Sequence, residues 1–144
     1  TIVSAELTEL QARIAALRTP VRRLQWLCET LLEGSRNDVS IVWVEAWVLG
    51  RRNETLAKAV REQMDAWQML FQTIIEAGAA GGEFKTDDPA AVAWQLLGMI
   101  DGLNAQALVR WGDTGARGSM IMRAVEGMLG LGHGALGPNA DAEG

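Results

Sequence analysis

The segment from Gly81 to Gly112 carries a helix stop, a loop, a strong helix start and a helix that is apolar on two opposed sides. Advancing about 100° per residue, Val92, Leu96, Met99, Ile100, Leu103 and Ala107 fall in one stripe. Trp94, Leu97, Gly98, Ala105, Leu108 and Val109 fall in a second, nearly opposite. A helix with two such stripes needs two partners. One is the chain's own core, and the other is most economically a second copy of the chain.

The remaining segments read as helices around it. Leu7, Leu10, Ile14 and Leu17 recur at intervals of three and four and form a narrow seam from Ser4 to Arg18. Thr19 followed by Pro20 ends that helix and starts another, running to about Glu33, whose core stripe is Val21, Leu24, Leu27, Cys28, Leu31 and Leu32. Trp26 projects almost opposite that stripe and packs under a neighbouring helix or forms a pocket wall. Val39 to Gly50 is apolar around nearly its whole circumference, which suits a buried helix or a buried strand; helix is chosen because a single strand would have nothing to pair with. Glu45 is the anomaly there: an ionised carboxylate in such a segment needs exposure, a raised pKa or a partner such as Arg51 or Arg52.

After a turn at Arg51 to Asn53, a long amphipathic helix is expected to about Ala79, with Leu56, Val60, Met64, Trp67, Leu70, Phe71 and Ile74 on one face. Phe84 should anchor the following loop, and Asp88 with Pro89 is the clearest helix start in the chain, opening a helix expected to run to about Trp111. A last helix is expected from about Arg117 to Leu131, apolar over all but a narrow arc of Ser119, Arg123, Glu126 and Gly130. The fold class is therefore all-α, with about six helices in a domain over residues 1–131. The tail over 132–144 has little to bury and is expected to be disordered.

At 144 residues the chain is one domain. Its single cysteine excludes an intrachain disulfide framework and fits a cytoplasmic setting. The net charge of −5 argues against direct nucleic-acid binding by this polypeptide. No apolar run reaches the roughly 18 to 20 residues of a membrane span, and no signal peptide is present. The chain begins at Thr1, not Met, which suggests a fragment or processed form.

Catalysis finds little support. The only histidine, His133, lies in the weak tail, so neither a His-based triad nor a helical metal site can be built; no catalytic residue, metal or cofactor is expected. Six tryptophans without a tyrosine leave two readings open. Burying one Trp contributes roughly 4 to 6 kcal/mol gross, against roughly 0.5 to 2 for a cation–π contact, so core packing alone suffices. The other reading is a cavity: Trp43, Trp47 and Trp67 with Glu45 around a small apolar or cationic effector, Met64 and Met99 as adaptable walls, and Gln68 and Asn104 as its few polar contacts.

The run Trp43 to Trp111 resembles the C-terminal domain of TetR-type transcriptional regulators. The matching features are VWVEAWVLGRRNETLAKAV leading into a long helix with Trp67, GGEF at 81–84, DDPAAVA at 87–93 and MIDGLNAQAL at 99–108. The resemblance implies an effector pocket enclosed by the middle helices and a homodimer built on a four-helix bundle from the last two helices of each subunit. It also implies an N-terminal helix-turn-helix domain. Nothing before Thr19 supplies one, so DNA binding is expected only through a domain outside this chain.

On that scheme Phe71, Met99 and Leu103 join the ligand side. The seam takes Trp94, Leu97, Gly98, Asp101, Gly102, Ala105 and Leu108, together with Met120, Ala124 and Met128 of the last helix. Asp101 is the residue a seam explains least. The expected function is ligand sensing and dimerisation for a repressor. The competing reading is a helical oligomerisation module that senses no small molecule.

Overall fold

The computed structural model describes residues 2–33, 36–112 and 114–137, and among these it contains six α-helices. They are α1 (Ile2–Ala15), α2 (Pro20–Leu31), α3 (Asn37–Gly50), α4 (Glu54–Ala80), α5 (Pro89–Ala107) and α6 (Arg117–Met128), with a 3₁₀ turn at Thr114–Ala116 before α6. The order and extents follow the helix-start chemistry of the sequence. The side chains of Thr19, Asn53 and Asp88 each accept a hydrogen bond from the backbone N–H three residues on, opening α2, α4 and α5.

α4 and α5 form the spine. α2 and α3 pack on α4, α3 also packs on α5, and α6 lies against α5 and α2. The core between them is Leu24, Leu27, Phe71, Ile75, Leu96, Ile100 and Val125, all essentially without solvent contact. Leu7, Leu10 and Ile14 of α1 close one side of it, while Trp26 is half-buried and packs against the same core. The bend between α4 and α5 depends on Gly78. Its carbonyl accepts from both Glu83 N and Phe84 N, and a Cβ there would collide with the ring of Phe84, which anchors the loop as expected.

Three expectations change. First, α3 is not buried all round, because it has helices on one side only: Ile41, Val42, Glu45, Val48 and Leu49 share an open outer face, and exposure resolves the anomaly of Glu45. Second, the chain beyond α6 is not loose up to Gly137. Leu136 is fully buried, Glu126 accepts from Gly134 N at 3.1 Å and Leu136 N at 2.9 Å, and Gln25 donates to the carbonyls of Leu136 and Gly137. Glu126 is thereby drawn out of the polar arc to which its spacing assigns it and buried beneath the turn. Residues 138–144, the rest of the expected tail, lie outside the described residues. Third, α5 stops at Ala107, short of Trp111, and passes through a turn in which Arg110 takes a left-handed conformation with φ 57°.

Candidate ligand cavity

Ser40, Trp43, Val44 and Trp47 project from one flank of α3 at intervals that place them on one face. Opposite stand Met64 and Trp67 of α4 and Leu97, Ile100, Asp101, Asn104 and Ala105 of α5, and Leu31 and Arg36 close the end. The rings of Trp43 and Trp47 lie 6.1 Å apart at 41°, a tilted pair. The space between these walls, partly open to solvent, is about 40 Å³. That volume holds a few waters, well short of the roughly 300 Å³ of a drug-sized site, so a larger guest either extends into solvent or parts α3 from α5.

The wall has an uneven polar inventory. Arg36 is satisfied: it donates bidentately to Glu6 of α1, Nε at 3.0 Å and Nη2 at 2.5 Å, and its Nη1 donates to the Leu31 carbonyl at 3.0 Å. Asn104 donates to the same carbonyl at 2.9 Å and accepts from Arg117 of α6 at 3.4 Å. A continuous polar path therefore runs from α1 through the cavity wall to α6. By contrast, the indole N–H groups of Trp47 and Trp67 are buried without an acceptor. Unmet donors of this kind are uncommon in folded proteins. Burial pushes the carboxyl of Asp101 up to about 6, with the nearby Arg36 guanidinium pulling it partly back.

Among the residues expected at a ligand, Trp43, Trp47, Met64, Trp67 and Asn104 line this cavity. Glu45 does not, since it faces solvent on the far side of α3. Phe71 is sealed in the core, Gln68 donates instead to the Ala90 carbonyl at 3.4 Å, and Met99 and Leu103 pack on the core away from the cavity. The cause of this exchange is the rotation of α5. Its buried arc centres on Ala93, Ile100 and Asn104, which turns Leu97, Asp101 and Ala105, expected at a seam, toward the tryptophans of α3. Asp101 thus has a location that its seam assignment lacked. Leu31, Arg36, Ser40, Val44 and Ile100 were not anticipated; the spacing of Ser40 from Trp43 and Trp47 was the one available signal.

The other expected seam residues mark an open face. Trp94 is 72% exposed, Gly98 and Gly102 lie beside it in solvent, and Met120 of α6 is exposed as well. Leu108 and Ala124 are half-buried, and Met128 packs partly on the core. A Cβ added at Gly98, Gly102 or Gly127 would meet nothing within 4 Å, so no contact inside the chain requires glycine there. Cys28 is fully buried, and desolvation, helped by the Glu29 charge, raises its thiol far above the reactive range. Among the described residues no group of His, Cys, Asp and Glu side chains is placed to hold a metal, and no helix is long and apolar enough to cross a membrane.

The sequence profile of the C-terminal domain of BetI-type transcriptional repressors matches residues 20–130. A crystal structure of a TetR transcription regulator from Haloarcula marismortui is similar in fold, with a TM-score of 0.71 and 23% sequence identity over 88% of this chain and 70% of that one. No match is found among curated proteins. The chain therefore belongs to the TetR family of transcriptional regulators and forms a C-terminal domain of the BetI type.

Proposed function

We propose that this domain senses a small apolar or cationic effector in the cavity between α3, α4 and α5, and that its α5–α6 face pairs two copies into a homodimer. Effector binding then releases the operator from a helix-turn-helix domain preceding α1, so that the regulator is a repressor. The observation that carries the reading is the pairing of a tryptophan wall with the half-buried carboxylate of Asp101. Above a pH of about 6 that carboxylate is ionised and lacks a full partner, because Arg36 is engaged by Glu6. A cation against the indole faces would complete it, while an acceptor oxygen on the same molecule would satisfy the Trp47 and Trp67 N–H groups.

Size supplies the mechanism. Because the cavity holds only about 40 Å³ before anything enters, an effector binds an opened arrangement better than the closed one, and that difference is what shifts the population. Arg36, which both walls the cavity and holds Glu6 of α1, passes the displacement to the helix nearest the DNA-reading head. Two heads must match half-sites about 34 to 36 Å apart, so a small tilt of α1 suffices to spoil the fit.

Trp fluorescence and thermal shift against a panel of quaternary amines, primary amines and neutral apolar compounds test the site, with Asp101→Asn beside the wild type. Saturable quenching by an amine that weakens about tenfold or more in Asp101→Asn supports a cationic effector; quenching indifferent to that change points to an apolar one. A full-length dimer whose operator affinity is unchanged at saturating effector would end the switching role. The second reading, an oligomerisation module without an effector, is favoured by the small cavity, and it is the one left standing if no compound moves either signal.

A further inference from the structure

At the other end of the Asn104 path lies a second concavity, about 400 Å³ and open to solvent, where the end of α2, the start of α3, the end of α5 and the start of α6 meet. Among the described residues its ionisable side chains are Arg110, Arg117 and Glu33. Arg117 is the unusual one. It is only 7% exposed, it forms no ion pair among the described residues, and its Nε–H is buried without an acceptor. Among the described residues its one side-chain bond is the long one, 3.4 Å, to the Asn104 amide oxygen.

The position makes this charge harder to hold. Arg117 is the first residue of α6, where the helix carries its positive end, and α6 has neither a side-chain cap nor an acidic residue in its first turn. A cation there opposes the helix dipole, and the same orphan N–H groups favour an anion. Arg110 brings a second guanidinium to the rim on a left-handed backbone, a conformation that an L-residue with a Cβ adopts at a cost. A buried cation without an ion pair among the described residues, a second cation on a strained turn and an uncapped helix start meet at one open concavity, and Glu33, its carboxylate among the described residues, forms no ion pair with either arginine.

We propose that this concavity binds a small oxyanion, a carboxylate or a phosphate group, with Arg117 as its buried anchor and Arg110 closing over it. The group accepts from the guanidinium groups of Arg117 and Arg110, in the two-pronged geometry that suits both anions. This site is separate from the tryptophan cavity and stands or falls independently of it, although Asn104 touches both.

The test is a titration of the domain with inorganic phosphate and, separately, with acetate, each against sodium chloride of equal ionic strength. The readouts are thermal stability and the ¹⁵N-resolved Nε–H signal of Arg117. Saturable stabilisation with a moving Arg117 signal is expected, weakened about tenfold in Arg110→Gln, a rim change that removes one charged donor without touching the core. Arg117→Gln should abolish saturation; if that variant does not fold, Arg110→Gln and the Nε–H signal still decide. Saturation by phosphate alone identifies a phosphate-bearing ligand, and saturation by both identifies a carboxylate-tolerant site. An Arg117 signal that follows only ionic strength, or phosphate affinity untouched by Arg110→Gln, overturns the proposal.

Discussion

α3 and α5 are the two most hydrophobic helices, and each contributes one face to the cavity, yet their outer faces differ in kind. α5 exposes Trp94, Gly98, Gly102 and Val109, with two glycines one turn apart that nothing in the chain needs. α3 exposes branched side chains, Ile41, Val42, Val48 and Leu49, around a carboxylate, Glu45, and offers no small residue where a second backbone can come close. Surplus apolar area alone therefore does not identify an interface. What separates the two faces is glycine placed where the monomer loses helix stability for no internal return.

The sharpest way to break this comparison is to fill the two glycines. Gly98→Leu with Gly102→Leu should leave the isolated domain folded, since the added side chains project into open space, and should raise its intrinsic helix stability by up to about 1 kcal/mol per site. The proposed close approach of two copies would be lost, which we expect to weaken dimerisation by about 100-fold or more. Sedimentation velocity over a concentration series reads the association and thermal melting reads the fold. A variant that remains as dimeric as the wild type removes α5 from the interface and makes its outer face no different from that of α3.

Much of this molecule was legible in its sequence, and the reason lies in the range of the forces concerned. Helix starts at Thr19 and Asp88 are written within a few residues, and the Gly78 to Phe84 stop likewise. The rotation of α5 was not, because periodicity fixes angles between residues of one helix but not the angle at which that helix meets its neighbours. The cavity lies against the side of α5 nearly opposite the one expected, which exchanged Met99 and Leu103 for Leu97, Asp101 and Ala105. The Arg36–Glu6 pair and the docking of Leu136 join positions distant in the chain, and no local pattern announces either.

The inner face of α5 offers a second, smaller test. Asp101 has its carboxyl raised from 3.8 to about 6, chiefly by burial. A carboxyl raised on folding contributes stability that is fully present below the unfolded value and is lost as pH rises through the folded one. The wild type should therefore lose roughly 2 to 3 kcal/mol between about pH 4 and pH 7, less where water reaches the group. Asp101→Asn lacks this dependence and should be the more stable protein at pH 8, with the advantage vanishing near pH 4. Urea unfolding at the two pH values measures the difference; an advantage that is equal at both would mean that Asp101 ionises freely and is poorly placed as a counter-ion.

The smallest effect is expected where the sequence suggested the most burial. Val48 and Leu49 are 59% and 61% exposed on the outside of α3, so replacing both with Gln removes little area that folding had taken from water. A stability change within about 0.5 kcal/mol follows, together with unchanged sedimentation, because no glycine-lined approach exists on this face to be lost. Dissociation of the dimer by Val48→Gln with Leu49→Gln, while Gly98→Leu with Gly102→Leu left it intact, would invert the comparison. It would mean that branched apolar side chains around Glu45 bury against the second copy, and that the glycines of α5 serve helix mobility around the cavity instead of contact. The two double variants in one sedimentation series therefore decide which helix's surplus is covered in the proposed dimer.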